Sequence, residues 1–287
     1  MVAKIITSQS ELSFSTLVDG MVAAAIAGAR ALLEAPAILL ETKSDGSPVT
    51  PADLASDHAI RSVLQQHFPA LPVISEECNQ HPACDVTRDA FFLVDPLDGT
   101  KEFMEARQDF AICVALIMAR RPVIGVIIAP ALRRVWQGIV SAGEAHAEVF
   151  DLDARLGIIT ASRRGLRLQD AAHKPRSVIT SRSHADSRST CLLACFPEAH
   201  HMTMGAALKF TSVASGEACL YPRGTGSMEW DTAAGEAIVL AAGGCIMSET
   251  GSPIVYGKKS ENFRNGPFIA GRSESLVKNA LSQWAAC

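Results

Sequence analysis

Two aspartates three residues apart, Asp95 and Asp98, close the apolar run FFLV, with Pro96 and Leu97 between them and Gly99-Thr100 directly behind. If the carboxylates converge, they and the Leu97 carbonyl present three hard oxygen ligands within four residues. Mg²⁺ prefers such oxygens and keeps room for waters and phosphate oxygens. Gly99 would let a bulky anion approach the backbone, and the amides after it can point at a phosphate. On this stretch alone, a plain turn built from Asp, Pro and Gly explains the residues as well.

Further acids could complete such a centre. Glu76 and Glu77 end the apolar run VIS, Asp231 opens the segment EWDTAAGE, and Asp53 lies just inside a second helix-like segment. Each also has an ordinary explanation. Thr50-x-x-Asp53 forms a capping box, Asp231 serves as an N-cap, and Glu76 is a solvated strand end. No Ser-His-Asp or cysteine nucleophile arrangement is evident, and neither G-x-G-x-x-G nor G-x-x-x-x-G-K-[ST] occurs.

The elements that must position these acids can be read from periodicity. Ser15 to Ala35 is an Ala-rich helix stopped by Pro36, and a polar loop follows it. A second helix starts at Pro51 behind the cap Thr50, with Leu54, Ile60, Val63 and Leu64 expected on its inner face. The runs LPVIS, FFLVD, FAICVALIMA, PVIGVIIAP and VWQGIV read as strands, the third and fourth as a hairpin. That order implies an antiparallel sheet flanked by helices, an α+β pattern. The polar, basic stretch around 155–174 is the best boundary, dividing an N-terminal α+β half (1–165) with most of the acids from a C-terminal α/β half (166–287) for substrate recognition. In the second half SVITS, EACLYP, CIMS and FIAG read as strands. DSRSTCLLACF, ALKFTSVASG, WDTAAGEAIVLAAGG and SESLVKNALSQWAA read as helices.

Composition narrows the classes. With 287 residues, 48% of them hydrophobic, the chain suits an enzyme-sized fold, and a net charge of -4 disfavours nucleic acid polymers as partners. An anionic substrate would need local positive charge, which metal ions would supply. The eight cysteines are scattered without zinc-ligand spacing and read as small buried hydrophobes in a reducing compartment. No leader-like core and no run of about 20 uncharged apolar residues is present, so no transmembrane segment is expected and a cytoplasmic location is.

Taken together and in this order, SEE, DPLDGT and WDTAAG resemble the metal-dependent, lithium-sensitive phosphomonoesterases of the inositol monophosphatase superfamily, from about Ser15 to Ala270. Within it, SPVTPAD (47–53), DPLDGTKEF (95–103), SRSHAD (181–186), LKFTSVASGEACLYPR (208–223) and WDTAAG (230–235) resemble the CysQ-type 3′(2′),5′-bisphosphate nucleotidases. The resemblance implies a layered α/β sandwich of the inositol monophosphatase and sugar phosphatase type. It implies that Glu76, Asp95 and the Leu97 carbonyl hold one Mg²⁺ and that Asp95, Asp98 and Asp231 hold a second. Asp53 and Thr100 would orient the attacking water, beside which a third, weaker ion is also implied. Asp53, Thr100 and Glu76 are then the catalytic set. Gly99 and Thr100 amides would hold phosphate oxygens, so that Glu76, Leu97, Asp98, Gly99, Thr100 and Asp231 form the phosphate end of the substrate site. Glu77 would support the metals, and Lys43 would close over them.

At the other end, Ser183 and His184 would meet sugar or base, and Lys209 and Arg223 the uncleaved 5′-phosphate. Relatives carry small hydroxyl residues where this chain has Ala206-Ala207, and a different loop where it has RGTGSME. The implied activity is hydrolysis of adenosine 3′,5′-bisphosphate, or the 3′-phosphate of its phosphosulfate, in sulfate assimilation. Inositol-1-phosphate and fructose-1,6-bisphosphate hydrolysis are the alternatives, followed by a non-catalytic metal- or nucleotide-binding regulator. The partner implied is a small phosphorylated nucleotide. Oligomeric state and peripheral attachment at the inner face of the cell membrane stay open.

Overall fold

The computed structural model describes residues 13–42, 48–78, 89–141, 144–169 and 175–285. Helix α1 (Phe14–Glu34) starts behind Ser13, whose side chain accepts the Thr16 N–H, and ends ahead of Pro36. It is long and apolar enough by composition to cross a membrane. Here its Leu17, Met21, Ala25 and Leu32 are fully buried in the protein core. A short ribbon, β1 (Glu41–Thr42) with β2 (Pro48–Val49), leads into α2 (Pro51–His67). The buried stripe of α2 runs Ala52, Ser56, Ile60, Leu64. Leu54, expected on that face, is 44% exposed, because it lies two residues and about 200° around the helix from Ala52.

Seven strands form one sheet in chain order: β3 (Val73–Ser75), β4 (Ala90–Asp98), β5 (Ala111–Met118), β6 (Arg121–Ala129), β7 (Arg134–Ser141), β8 (Glu144–Asp151) and β9 (Arg164–Leu166). β3 runs parallel to β4 and the remaining neighbours are antiparallel. The expected hairpin is β5–β6, turning through Ala119 and Arg120, both at positive φ. A short helix, α3 (Thr100–Met104), follows β4.

The second sheet has the order β11-β10-β12-β16-β14. Its elements are β10 (Ser177–Ser181), α4 (Ser187–Ala194), β11 (His200–Met204), α5 (Leu208–Ala214), β12 (Leu220–Arg223), β13 (Ser227–Met228), α6 (Glu229–Ala241), β14 (Cys245–Ser248), β15 (Arg264–Asn265), β16 (Phe268–Gly271) and α7 (Glu274–Trp284), with β13 and β15 paired as a separate ribbon. One apolar core joins the two sheets through α5 and α6, a second fills the space between α1, α2 and the seven-stranded sheet, and a third lies under α4 and α7. The result is a helix–sheet–helix–sheet–helix stack. The α6 layer sits directly on strand backbone, since a Cβ on Gly125 would come within 2.2 Å of the Ala234 carbonyl oxygen.

Strands β8, β9 and β11 escaped the sequence pattern. β11, HHMTM, has no buried residue to mark it, and β9 is a three-residue edge. The cysteines are less uniform than expected. Cys113 and Cys219 are buried, Cys78 and Cys245 half-buried, and Cys195 exposed at the end of α4. Cys191 is disulfide-bonded, and Cys84 and Cys287 lie outside the described residues.

Candidate active site and metal centre

Side chains of a regular strand alternate faces, so Asp95 and Asp98, three apart, should point to opposite sides. They do not, because β4 carries an extra residue at Pro96. Asp95 pairs with Cys113 and Asp98 with Ala111, a register shift of one. The Ser56 hydroxyl donates to the Pro96 carbonyl at 2.8 Å and ties the bulge to α2. Asp95 and Asp98 therefore both line one cavity of 380 Å³, and Leu97 with them. Gly99, at φ 91°, turns the strand into α3 in a conformation that side chains rarely adopt.

Glu76 arrives from the single helical turn after β3, and Asp231 from the third position of α6. One carboxylate oxygen from each of Glu76, Asp95 and Asp231 lies within 4.8 Å of the others. Asp231 is not the N-cap of its helix, the ordinary alternative to a metal role. It accepts the Met228 N–H at 3.0 Å and the Ser227 hydroxyl at 2.5 Å on one oxygen, Oδ2. The same economy recurs at the other acids. Asp95 takes the Leu97 N–H at 3.0 Å, and Asp98 takes the Ala207 N–H at 2.6 Å.

Asp53 combines two functions in one side chain. Its Oδ2 accepts the Thr50 N–H at 2.8 Å and the Thr50 hydroxyl at 2.5 Å, completing the capping box, while Oδ1 lies 3.2 Å from the Thr100 hydroxyl. That hydroxyl is also 3.2 Å from the Leu97 carbonyl.

Burial raises the proton affinity of three of these acids, Asp95, Asp98 and Asp53. Burial holds the Asp95 carboxyl well above the usual carboxylate range, and Glu76, Asp98 and Asp231 add to it. Asp98 is pushed up to about 7 by burial and Asp231, against the pull of Lys209. Burial also raises Asp53, opposed by its Thr50 hydrogen bonds. Such a cluster is relieved by a cation, and an all-oxygen donor set suits a hard divalent ion. The residues present fit a metal centre.

The cavity also carries basic groups, Lys209 near enough to Asp98 to act on its charge. Lys209 is 4% exposed; its ammonium donates to the Ala206 carbonyl and lies 5.4 Å over the Tyr221 ring. Burial lowers it to about 8. Arg223 donates from Nε to the Gly226 carbonyl at 3.0 Å, and His184 lines the same wall with its pKa lowered by burial and by Arg223. Ser183 stands off this wall and donates its hydroxyl to Glu102. Glu77 is half-buried in the turn that carries Glu76, and Lys43 lies outside the described residues.

Of the cavity residues not anticipated, three are charged: Lys101, Glu102 and Arg264. Lys101 and Glu102 follow Thr100 in the acidic motif and could have been included with it. Arg264 carries no local signal; the pairing of β15 with β13 brings it to the rim.

The inositol monophosphatase family pattern matches residues 15–281. The chain belongs to the inositol monophosphatase family. It is 39% identical to the 3′(2′),5′-bisphosphate nucleotidase CysQ of Salmonella typhimurium over 79% of this chain and 86% of that protein. It is 37% identical to the enzyme of the same name from Escherichia coli K12, with the same coverage. The crystal structure of CysQ from Bacteroides thetaiotaomicron superposes with a TM-score of 0.74 at 29% identity, covering 90% of this chain and 97% of that one. An Anabaena inositol monophosphatase, 21% identical with a TM-score of 0.73 over 95% of this chain and 96% of that one, shares the fold. Family membership accounts for the acidic cluster, since metal dependence is a property of the family.

Proposed function

We propose that this chain hydrolyses the 3′-phosphate of adenosine 3′,5′-bisphosphate to give AMP and phosphate, and treats the corresponding 5′-phosphosulfate alike, in the cytoplasm as part of sulfate assimilation. The observation that carries this reading is one cavity lined both by a carboxylate cluster and by Lys209, Arg223 and Arg264. An inositol monophosphate has no second anionic group for the basic residues. The relatives named CysQ support the nucleotide.

Glu76, Asp95 and the Leu97 carbonyl would hold one Mg²⁺, and Asp95, Asp98 and Asp231 a second. Bound there, the ions neutralise phosphoryl oxygens, acidify a bound water and stabilise the leaving oxygen. The protein's own share is positioning. Asp53 is anchored through Oδ2, so Oδ1 and the Thr100 hydroxyl form a fixed pair to orient the attacking water. The amides of Gly99 and Thr100 face the phosphate, with Glu77 supporting the metal ligands. Lys209 and Arg223 bind the uncleaved 5′-phosphate, Arg223 through paired donors and Lys209 as a point charge. His184 stands on the sugar and base side, and Ser183, off the cavity wall, acts there through Glu102.

A substrate panel with Mg²⁺ tests the reading. It compares adenosine 3′,5′-bisphosphate, its 2′,5′ isomer, the 3′-phosphate 5′-phosphosulfate, inositol 1-phosphate and fructose 1,6-bisphosphate. The bisphosphate nucleotides should give the highest kcat/KM. Faster turnover of inositol 1-phosphate or fructose 1,6-bisphosphate, or no phosphate release at all, overturns it.

A further inference from the structure

Glu102 is an odd residue for a cavity that binds anions. It lies in α3 and is 4% exposed, yet it lines the cavity. Its Oε1 accepts the Ser183 hydroxyl, which fixes the carboxylate from the opposite half of the chain. Its Oε2 has no donor among the described residues, and the side chain lines the cavity. That oxygen sits 3.3 Å from where a Cβ on Gly99 would be, beside the turn that faces the scissile phosphate. Lys209 does not neutralise it by contact, since the ammonium is turned to the Ala206 and Met204 carbonyls. A fixed carboxylate in this position repels a phosphate dianion unless the substrate brings a hydrogen-bond donor to it.

A nucleoside bisphosphate offers two kinds of donor. The base amine lies across the sugar from the scissile ester. The ribose hydroxyl on the adjacent carbon lies next to it, and so next to Gly99. Resting on the nucleotide reading above, we propose that Glu102 Oε2 accepts a hydrogen bond from the ribose hydroxyl beside the scissile phosphate, and so selects ribonucleoside over deoxyribonucleoside bisphosphates. The 2′,5′ isomer satisfies the same acceptor, because its 3′-hydroxyl takes the place of the 2′-hydroxyl. Glu102 is thus a specificity-determining residue, and the Ser183 hydroxyl positions it.

The test compares kcat/KM for adenosine 3′,5′-bisphosphate and its 2′-deoxy analogue at fixed Mg²⁺, on the unaltered protein and on Glu102→Gln and Ser183→Ala. The unaltered protein should prefer the ribonucleotide by roughly 10- to 150-fold, the range for a hydrogen bond to a charged acceptor. Glu102→Gln should shrink that ratio to a few-fold by slowing the ribonucleotide alone, with Ser183→Ala shifting it less in the same direction. A ratio near one for the unaltered protein overturns the proposal without any variant having to fold. An undiminished ratio in Glu102→Gln, with both substrates slowed equally, overturns it too and makes Glu102 a structural clamp. Failure to hydrolyse the ribonucleotide at all would instead remove the nucleotide reading on which the proposal rests.

Discussion

The acidic and the basic groups of the cavity are held in opposite ways. Among the acids, each of Asp53, Asp95, Asp98 and Asp231 has one carboxylate oxygen held by a backbone N–H, two of them by a hydroxyl as well. Asp95 and Asp98 also ride on a bulged strand inside a seven-stranded sheet. Among the basic groups, Arg223 has one hydrogen bond to Gly226, and Arg264 reaches the Thr225 carbonyl only at 3.5 Å. The difference teaches where accuracy is required. Metal chemistry fails when ligands shift by a fraction of an ångström, so its groups are pinned and like charges are packed together at a cost in stability. Recognition of a remote phosphate tolerates movement, so its two arginines stand on a strand end and a two-stranded ribbon, whereas Lys209 is buried on α5.

If this contrast holds, the largest effect comes from removing one charge among the acids. Asp98→Asn should lower kcat at saturating Mg²⁺ by about 10³-fold, on the order of 4 kcal/mol of transition-state stabilisation. The metal-free variant should melt at or above the temperature of the metal-free parent, because the cluster loses a repelling charge. Phosphate release near the parent rate would break the comparison on its acidic side.

Among the basic groups the loss should be smaller and selective. Arg223→Ala should reduce kcat/KM for adenosine 3′,5′-bisphosphate by roughly 10- to 150-fold, and that for adenosine 3′-monophosphate hardly at all. Equal losses on the two substrates, measured on both proteins, would mean that Arg223 serves the fold or the metals.

A third test separates stored repulsion from binding. Asp98 has a raised pKa, about 7 against an ordinary 3.8, so the metal-free folded state holds a proton there that the unfolded chain gives up. Its contribution is present at pH below about 4 and is lost as pH climbs to about 7. Melting of EDTA-treated protein should therefore fall by a few degrees from pH 5 to 7.5, the scale of about 1 to 2 kcal/mol for a chain of this size. Mg²⁺ should raise the melting temperature more at pH 7.5 than at pH 5. A metal-free melting temperature that rises across this window would show that the carboxylates are not in conflict.

The smallest effect concerns the joint between the two sets of groups. Ala206 sits at φ 52°, and the turn it makes delivers the Ala207 N–H to Asp98. Ala206→Gly should relieve a left-handed strain of about 1 to 2 kcal/mol, offset by about 0.5 to 1 kcal/mol of chain entropy. A gain of a degree or two in melting temperature is expected, with kcat unchanged. Destabilisation would mean that the alanine methyl, 3.4 Å from where a Gly99 Cβ would sit, contributes packing that outweighs the strain.

What could be read in the chain was local. The Thr50–Asp53 capping box, the α1 stop before Pro36 and the β5–β6 hairpin each depend on residues a few positions apart, and each is present. The grouping of acids in DPLDGT is legible for the same reason, and an ordered set of such motifs identifies a family even when every member has a plainer explanation. The inner face of α2 was misread at Leu54 because apolar character alone does not say which side of a helix meets the core.

The amino-acid order by itself therefore determined the kinds of ligand on offer, oxygen donors with glycine beside them, and the helices and strands carrying them. Only the tertiary structure decided that Asp95 and Asp98 share a face, through a bulge set by pairing with β5. It also decided that Asp98 is held by an amide 109 residues away, and that Arg264 and Arg223 line one cavity. Those outcomes depend on how stacked layers bury their apolar faces against one another, a balance over the whole chain that no short window contains.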